Sequence, residues 1–425
     1  MNGSRRRTRW VAGAAAAAAA ASAAGLSTGT GAVAGPGAAT PTVARNVIYI
    51  QGDGMGVAQR EFLRLALAGR TGELSMNSLP AAGLVHTSSL DPVAAVTDSA
   101  AAATAFASGV KSYNGAIGVD LQGRRVPTVL EQAKAAGKSA GLVTTSQVTD
   151  ATPAAFAAHV LDRADQSLIA EQYLEDSKPD VVLGGGEDFW YPARNPGAYR
   201  DHPAKDPTEA SKGEEGNLVR KAQRLGYDYV TDEAELLAST SGKLLGLFAN
   251  EEMFEHRNEG DGGSYRPVVP LPTMTRKALD VLDDDPDGFF LVVEEEGIDE
   301  MAHHNNAHLL LKAGRALEAA VDVALEFQSR HPDTLVLVTG DHETGGLVIE
   351  NDDPEDESGR GESAEDGPFT IKGTKIDFYV DWTTEGHSAA DTPVTAGGPG
   401  AWRLNGVVDN TEVYTAMARA MGLQP

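Results

Sequence analysis

Cysteine is absent from all 425 residues, which excludes disulfides, a thiolate nucleophile and a cysteine-ligated zinc. Aromatic residues make up only 6% of the chain, and positive charge is scarce, with 35 Lys and Arg against 61 Asp and Glu and a net charge of −26. So acidic a chain excludes a nucleic-acid partner, which wants a basic face. Long apolar runs are also missing. The Ala-dominated stretch 11–24 is too short and too weakly apolar for a stable membrane anchor. With Arg5, Arg6, Arg7 and Arg9 before it and small-residue cleavage sites after it (21–23 or 32–34), it reads as a signal peptide over residues 1–34, and so predicts secretion. The paired arginines leave the twin-arginine and general secretory routes both open. Removing the four arginines with residues 1–34 takes the net charge to −30. Export normally permits disulfides. Without cysteine, the fold must be held by its core, with metals as the other available support.

A Gly/Pro/Ala linker, 35–45, leads into one domain, 46–425. Buried strands are expected at 46–51, 139–145, 180–183, 244–248, 289–293 and 334–338, and helices at 126–136, 276–284 and 309–329. This alternation predicts an α/β fold, a mostly parallel central sheet with helices on both faces. Ligands in such folds sit beyond the C-terminal ends of the strands, where the chemically loaded residues of this chain fall. Insertions are expected near 188–217, rich in Pro, charge and Tyr, and near 351–380. The latter opens with the acidic run NDDPEDESGRGESAEDG, read as a solvated loop rather than a calcium site.

The segment VTDSAAAATAFASGV (96–110) places Ser99 between a β-branched approach and an Ala-rich helix. A Ser there is ordinarily a cap. The same helix end favours negative charge, so it can also prepare a nucleophilic oxygen and receive a phosphoryl group. Metal-ligand residue types accompany it. Asp53 lies in GDGMG, Asp150 and Thr152 in TDATPAAFAAH, and Glu294, Asp299 and His303 in EEEGIDEMAHH. Asp341 and His342 are adjacent in TGDHETGG, and His387 sits in EGHSAADTP. Mixed His and carboxylate ligands suit zinc, and all-oxygen ligands suit magnesium. Asp299 and His303, four apart, share one face of a helix.

These motifs, in the order GDGMG, VTDSAAAATAFASGVKSYNGAIGVD, DATPAAFAAHVLDR, GIDEMAH, TGDHETGG and GHSAADTPV, resemble the alkaline phosphatase family from residue 46 to about 400. The resemblance implies hydrolysis of phosphate monoesters at alkaline pH through a phosphoserine on Ser99, with two Zn²⁺ and one Mg²⁺ per chain. It assigns Asp299, His303 and His387 to one zinc, and Asp53, Asp341 and His342 to a second beside Ser99. Asp53 would also bridge to a magnesium held with Asp150, Thr152 and Glu294, and Arg163 would grip phosphate. Glu294 is chosen from the run 294–296 because it lies five residues before Asp299; Glu295 and Glu296 stand where the family has small residues. Glu300 replaces the Lys or His of many relatives, which predicts weaker inhibition by phosphate. His159 reads as packing, His304 and His308 as solvent-exposed, and Lys111 as a cation ending the helix after Ser99. Many relatives are homodimers, so that state is open here. The rival reading is a phosphodiesterase of the same superfamily; diesterases usually carry Thr in place of Ser99 and lack the long VTDSA block.

Overall fold

The computed structural model describes residues 42–201, 210–254, 263–351 and 366–425. The expected signal peptide, most of the linker (35–41), and residues 202–209 and 352–365 of the two insertions lie outside the described residues.

Fifteen strands are described: β1 Asn46–Gly52, β2 Ala81–His86, β3 Ser139–Gln147, β4 Val181–Gly185, β5 Asp228–Val230, β6 Leu244–Leu247, β7 Phe289–Glu295, β8 Thr334–Thr339, β9 Glu343–Thr344, β10 Val348–Glu350, β11 Asp366–Thr370, β12 Asp377–Asp381, β13 His387–Ser388, β14 Thr392–Gly397 and β15 Gly406–Asp409. Ten of them form one sheet in the order β15-β2-β14-β8-β1-β7-β3-β4-β6-β5. Every pairing in it is parallel except those of β14 with β2 and β8. The mostly parallel sheet expected from the alternation is present. Its middle strands are apolar on both faces, as burial between two helical layers requires.

In β1, Val47 and Tyr49 face a core shared with helices Ser99–Ser108, Val129–Ala135, Ala151–Ala157 and Asn410–Ala420. Ile48 and Ile50 face the opposite core, built with helices Val57–Leu67, Leu271–Leu282 and Ala307–Arg330. Helix Ser99–Ser108 is buried at all ten positions; its alanines let neighbouring helices approach closely. Asp98 caps it, accepting from the Ala101 amide at 2.9 Å, which leaves Ser99 as the first helical residue rather than the cap.

Several expectations need correction. The β-branched pair before Ser99 is not a strand: β2 ends at His86, and a loop held by Asp91 and Asp98 covers the gap. Lys111 does not cap the helix, which has ended at Ser108; its ammonium binds the Ser88 carbonyl at 2.7 Å and Asp409 at 2.9 Å. The helix expected from 126 starts at Val129, where Thr128 and Glu131 form a reciprocal capping box. Past its acidic run, the second insertion is not loop throughout: β11 and β12 pair with β10 in a small antiparallel sheet.

Candidate active site

β1, β7, β3 and β8 end on the same side of the sheet, and the residues after them meet there. Two groups of metal-ligand side chains converge. Asp299, His303 and His387 form one, and Asp53, Asp341 and His342 the other, with the ligand atoms of each within 4.8 Å of one another. In the first, His303 Nε2 lies 3.1 Å from His387 Nε2 and 3.2 Å from Asp299 Oδ2. Each imidazole is held from behind. His303 Nδ1–H donates to the Glu385 carbonyl at 2.5 Å, and His387 Nδ1–H to the Thr97 carbonyl at 3.0 Å. That fixes the tautomer and turns both Nε2 lone pairs toward one point, as metal-binding histidines require.

In the second group, His342 Nε2 lies 3.3 Å from Asp341 Oδ2 and 3.5 Å from Asp53 Oδ1. Both of those oxygens are buried and have no hydrogen-bond partner. Burial, then the charge of Asp341, pushes Asp53 well above the usual carboxylate range; burial and the charge of Asp299 do the same to Asp341. Burial also pushes His342 well below the usual imidazole value. Like charges left bare in a dry site are costly unless a cation lies between them, so both donor sets fit divalent ions.

The oxygen-rich group is assembled only in part. Glu294 accepts from Thr144 Oγ1 at 2.6 Å, and its other oxygen is buried without a partner. Burial pushes Glu294 up to about 7, with Thr144 and Thr152 opposing. Asp150 stands apart: Arg163 Nη2 holds its carboxylate at 2.9 and 3.1 Å. Glu295 turns into a separate network with Tyr265 (2.7 Å) and Thr145 (3.0 Å).

Ser99 Oγ lies 3.1 Å from His342 Nε2, and Arg163 Nη1 lies 3.5 Å from Asp98 Oδ2. Ser99, Arg163, Asp53, Asp299, His303 and His387 line one cavity of about 290 Å³. Burial alone would lower the Arg163 pKa, but Asp150 and Asp98 raise it above the usual guanidinium value, so it stays a cation. His159 lies outside: buried, it bonds the Gly118 carbonyl at 2.6 Å and Glu131 at 2.8 Å. His304 and His308 are exposed, His308 against the Phe369 ring. The reading of the sequence missed Glu252 and Gln147, which line the same cavity. Both follow or end a strand, and that position was the available signal.

A serine at a helix N-terminus beside two cation-ready ligand groups and an arginine defines a metal-dependent phosphoryl hydrolase on an α/β sheet. Comparison with known proteins agrees. The family model "Alkaline phosphatase" matches residues 44–373. Alkaline phosphatase 4 of Bacillus subtilis is 37% identical over 72% of this chain, which spans 62% of that protein's length. Streptomycin-6-phosphate phosphatase of Streptomyces griseus is 34% identical over 92% of this chain and 95% of its own. Among solved structures, a His-to-Asp mutant of the TAB5 alkaline phosphatase, with Mg bound in its M3 site, is 28% identical. It has a TM-score of 0.69 and covers 90% of this chain and 99% of its own. The chain belongs to the alkaline phosphatase family. It is a metal-dependent enzyme that hydrolyses phosphate monoesters, and the phosphodiesterase reading is not favoured.

Proposed function

We propose that Ser99 is the nucleophile of this phosphomonoesterase and that Arg163 grips the phosphoryl oxygens. Asp299, His303 and His387 hold one zinc, and Asp53, Asp341 and His342 hold a second. Asp53, Thr152, Glu294 and Asp150 hold a magnesium. The donor types support zinc at the His-containing sets and magnesium at the oxygen set, and the TAB5 relative with Mg in its M3 site is in keeping with this. Bound divalent ions supply Lewis-acid charge that lowers the pKa of an attacking oxygen and stabilises the departing one.

Within that field, Ser99 Oγ attacks phosphorus, the ester P–O bond breaks, and the alcohol leaves. Water then attacks the phosphoserine and frees phosphate and Ser99. Arg163 contributes positioning: its planar fork matches two non-bridging oxygens. To take them, it trades at least part of its bond to Asp150 for the substrate. Asp98 serves indirectly, capping the helix that carries Ser99 and accepting from the Gly115 amide at 2.8 Å.

The convergence of the two ligand groups on the cavity that holds Ser99 and Arg163 carries this reading. Ser99→Ala tests it. Metal content should hold at about two zinc and one magnesium per chain, while kcat/KM on an aryl phosphate at pH 9 falls at least about a thousandfold. Acid quenching should trap phosphate on the wild type alone. Activity indifferent to Ser99 would refute the assignment. We further infer from the leader-like residues 1–34 that the enzyme is exported. No helix among the described residues is long and apolar enough to cross a membrane.

A further inference from the structure

The cavity that holds Ser99 and Arg163 has a second wall, made of Glu252, Glu296 and Glu300. None of the three belongs to the two convergent ligand groups. Glu296 is only 6% exposed, yet its Oε2 has no hydrogen-bond partner. Glu252 Oε1 accepts from Gln147 Nε2 at 2.8 Å, and its Oε2 is likewise buried and unpartnered. Glu296 and Glu300 lie one helical turn apart at the start of helix Gly297–His303, beyond β7, and Glu252 comes from the segment after β6. These three carboxylates thus line the cavity in which an anionic ester must bind. A phosphate dianion alone would be repelled by that wall.

A cation between the wall and the phosphate would offset that repulsion. An inorganic ion needs its ligand atoms drawn together. Among the described residues the three glutamates are not drawn within 4.8 Å of one another, but neither are Asp53, Asp150 and Glu294 of the oxygen-rich set. Spacing alone therefore does not separate an inorganic ion from a larger cation, and the metal analysis below does. An ammonium or guanidinium carries several N–H donors or a diffuse charge, and can face carboxylates set further apart. It would also lie on the same molecule as the phosphate.

We propose that Glu252, Glu296 and Glu300 form a subsite for a cationic group on the alcohol portion of the substrate. The preferred substrates are then phosphate monoesters of amino, quaternary-ammonium or guanidino alcohols. The proposal rests on the Ser99 phosphomonoesterase reading and adds no chemical step. The same ester bond breaks, and the alcohol departs with its cation.

Phosphocholine and its uncharged carbon isostere, 3,3-dimethylbutyl phosphate, test this on the metal-loaded enzyme. Wild type should favour phosphocholine in kcat/KM by about tenfold, the scale of one partly shielded ion pair. Choline should inhibit more strongly than 3,3-dimethylbutanol. In a Glu252→Gln/Glu300→Gln double variant, the preference should fall toward unity. A wild-type ratio near unity, or a preference that survives in the double variant, overturns the subsite. If the double variant instead loses a bound metal ion while wild type shows no preference, the wall holds an inorganic cation and the substrate assignment fails. Failure of both esters to release phosphate in a Ser99-dependent way would sink the underlying reading. Turnover of both without preference would sink only the subsite.

Discussion

Replacing Gly54 with alanine should damage both ligand groups through one methyl group. Gly54 sits at φ +66, a left-handed conformation that costs an L-residue about 1–2 kcal/mol. A Cβ built there would lie 2.5 Å from Asp299 Oδ1, 2.8 Å from Thr344 Oγ1 and 2.9 Å from Asp299 Cα. The last contact is backbone, so no side-chain rotation relieves it, and overpacking of this kind costs a further ~1–3 kcal/mol. The amide of Gly54 also donates to Asp341 Oδ1 at 3.1 Å, and its carbonyl accepts from the Thr344 amide at 3.2 Å. Relief by backbone movement therefore displaces Asp299 on one side and Asp341 on the other.

For a domain this long, 1 kcal/mol corresponds to roughly 1 °C in Tm. Gly54→Ala should lower Tm by roughly 2–5 °C on strain alone, and further if an ion is lost. Gly226→Ala is the control. Gly226 is also left-handed, at φ +93, but has nothing within 4 Å of its added Cβ. It should cost only the conformational term, roughly 1–2 °C. Differential scanning calorimetry and metal analysis of the purified proteins separate the two. Equal Tm losses with full metal content in Gly54→Ala would refute the claim that this turn registers the two groups.

Two further outcomes follow from the charges. Glu300→Lys should strengthen competitive inhibition by phosphate several-fold, because it exchanges a carboxylate lining the cavity for an ammonium; an unchanged inhibition constant would dismiss the expected role of Glu300. Asp188 is fully buried, and neither of its oxygens has a hydrogen-bond partner. Burial, with Asp201, Glu251 and Glu187 nearby and Lys212 opposing, pushes it up to about 8. The folded state thus holds this proton more tightly than the unfolded chain does. The resulting stability is full below the ordinary carboxylate range, falls as pH rises toward 8, and is gone above it. Asp188→Asn should therefore raise Tm at pH 9 more than at pH 5, and an equal shift at both would show that Asp188 is not protonated in the fold.

Where the sequence was legible, it was legible strand by strand. The continuous apolar runs at 46–51, 289–293 and 334–338 became adjacent central strands, because a run with no polar alternation has to be covered on both faces. The edge was harder to read. β2 is half-exposed and holds small residues, β5 is three residues long, and β14 begins inside a motif that drew attention for its chemistry. β14 is also the strand that runs against the rest, and nothing in TPVTAG encodes direction.

The site shows the same division. A carboxylate after a strand is a local signal, and Asp53, Glu294 and Asp341 each carried it. Which carboxylates share a cavity depends on the order of strands in the sheet, a property of the whole chain. β1 lies between β7 and β8 although about 240 and 290 residues separate them in sequence. That placement buries Asp53, Glu294 and Asp341 together. The order β7-β3-β4-β6 also places Glu252, which carries no motif, on the same side as Glu296 and Glu300. The motif-bearing carboxylates identify the reaction. Glu252, which carries no motif and is reachable only through the topology, joins Glu296 and Glu300 in the wall where this chain's own choice of substrate should be sought.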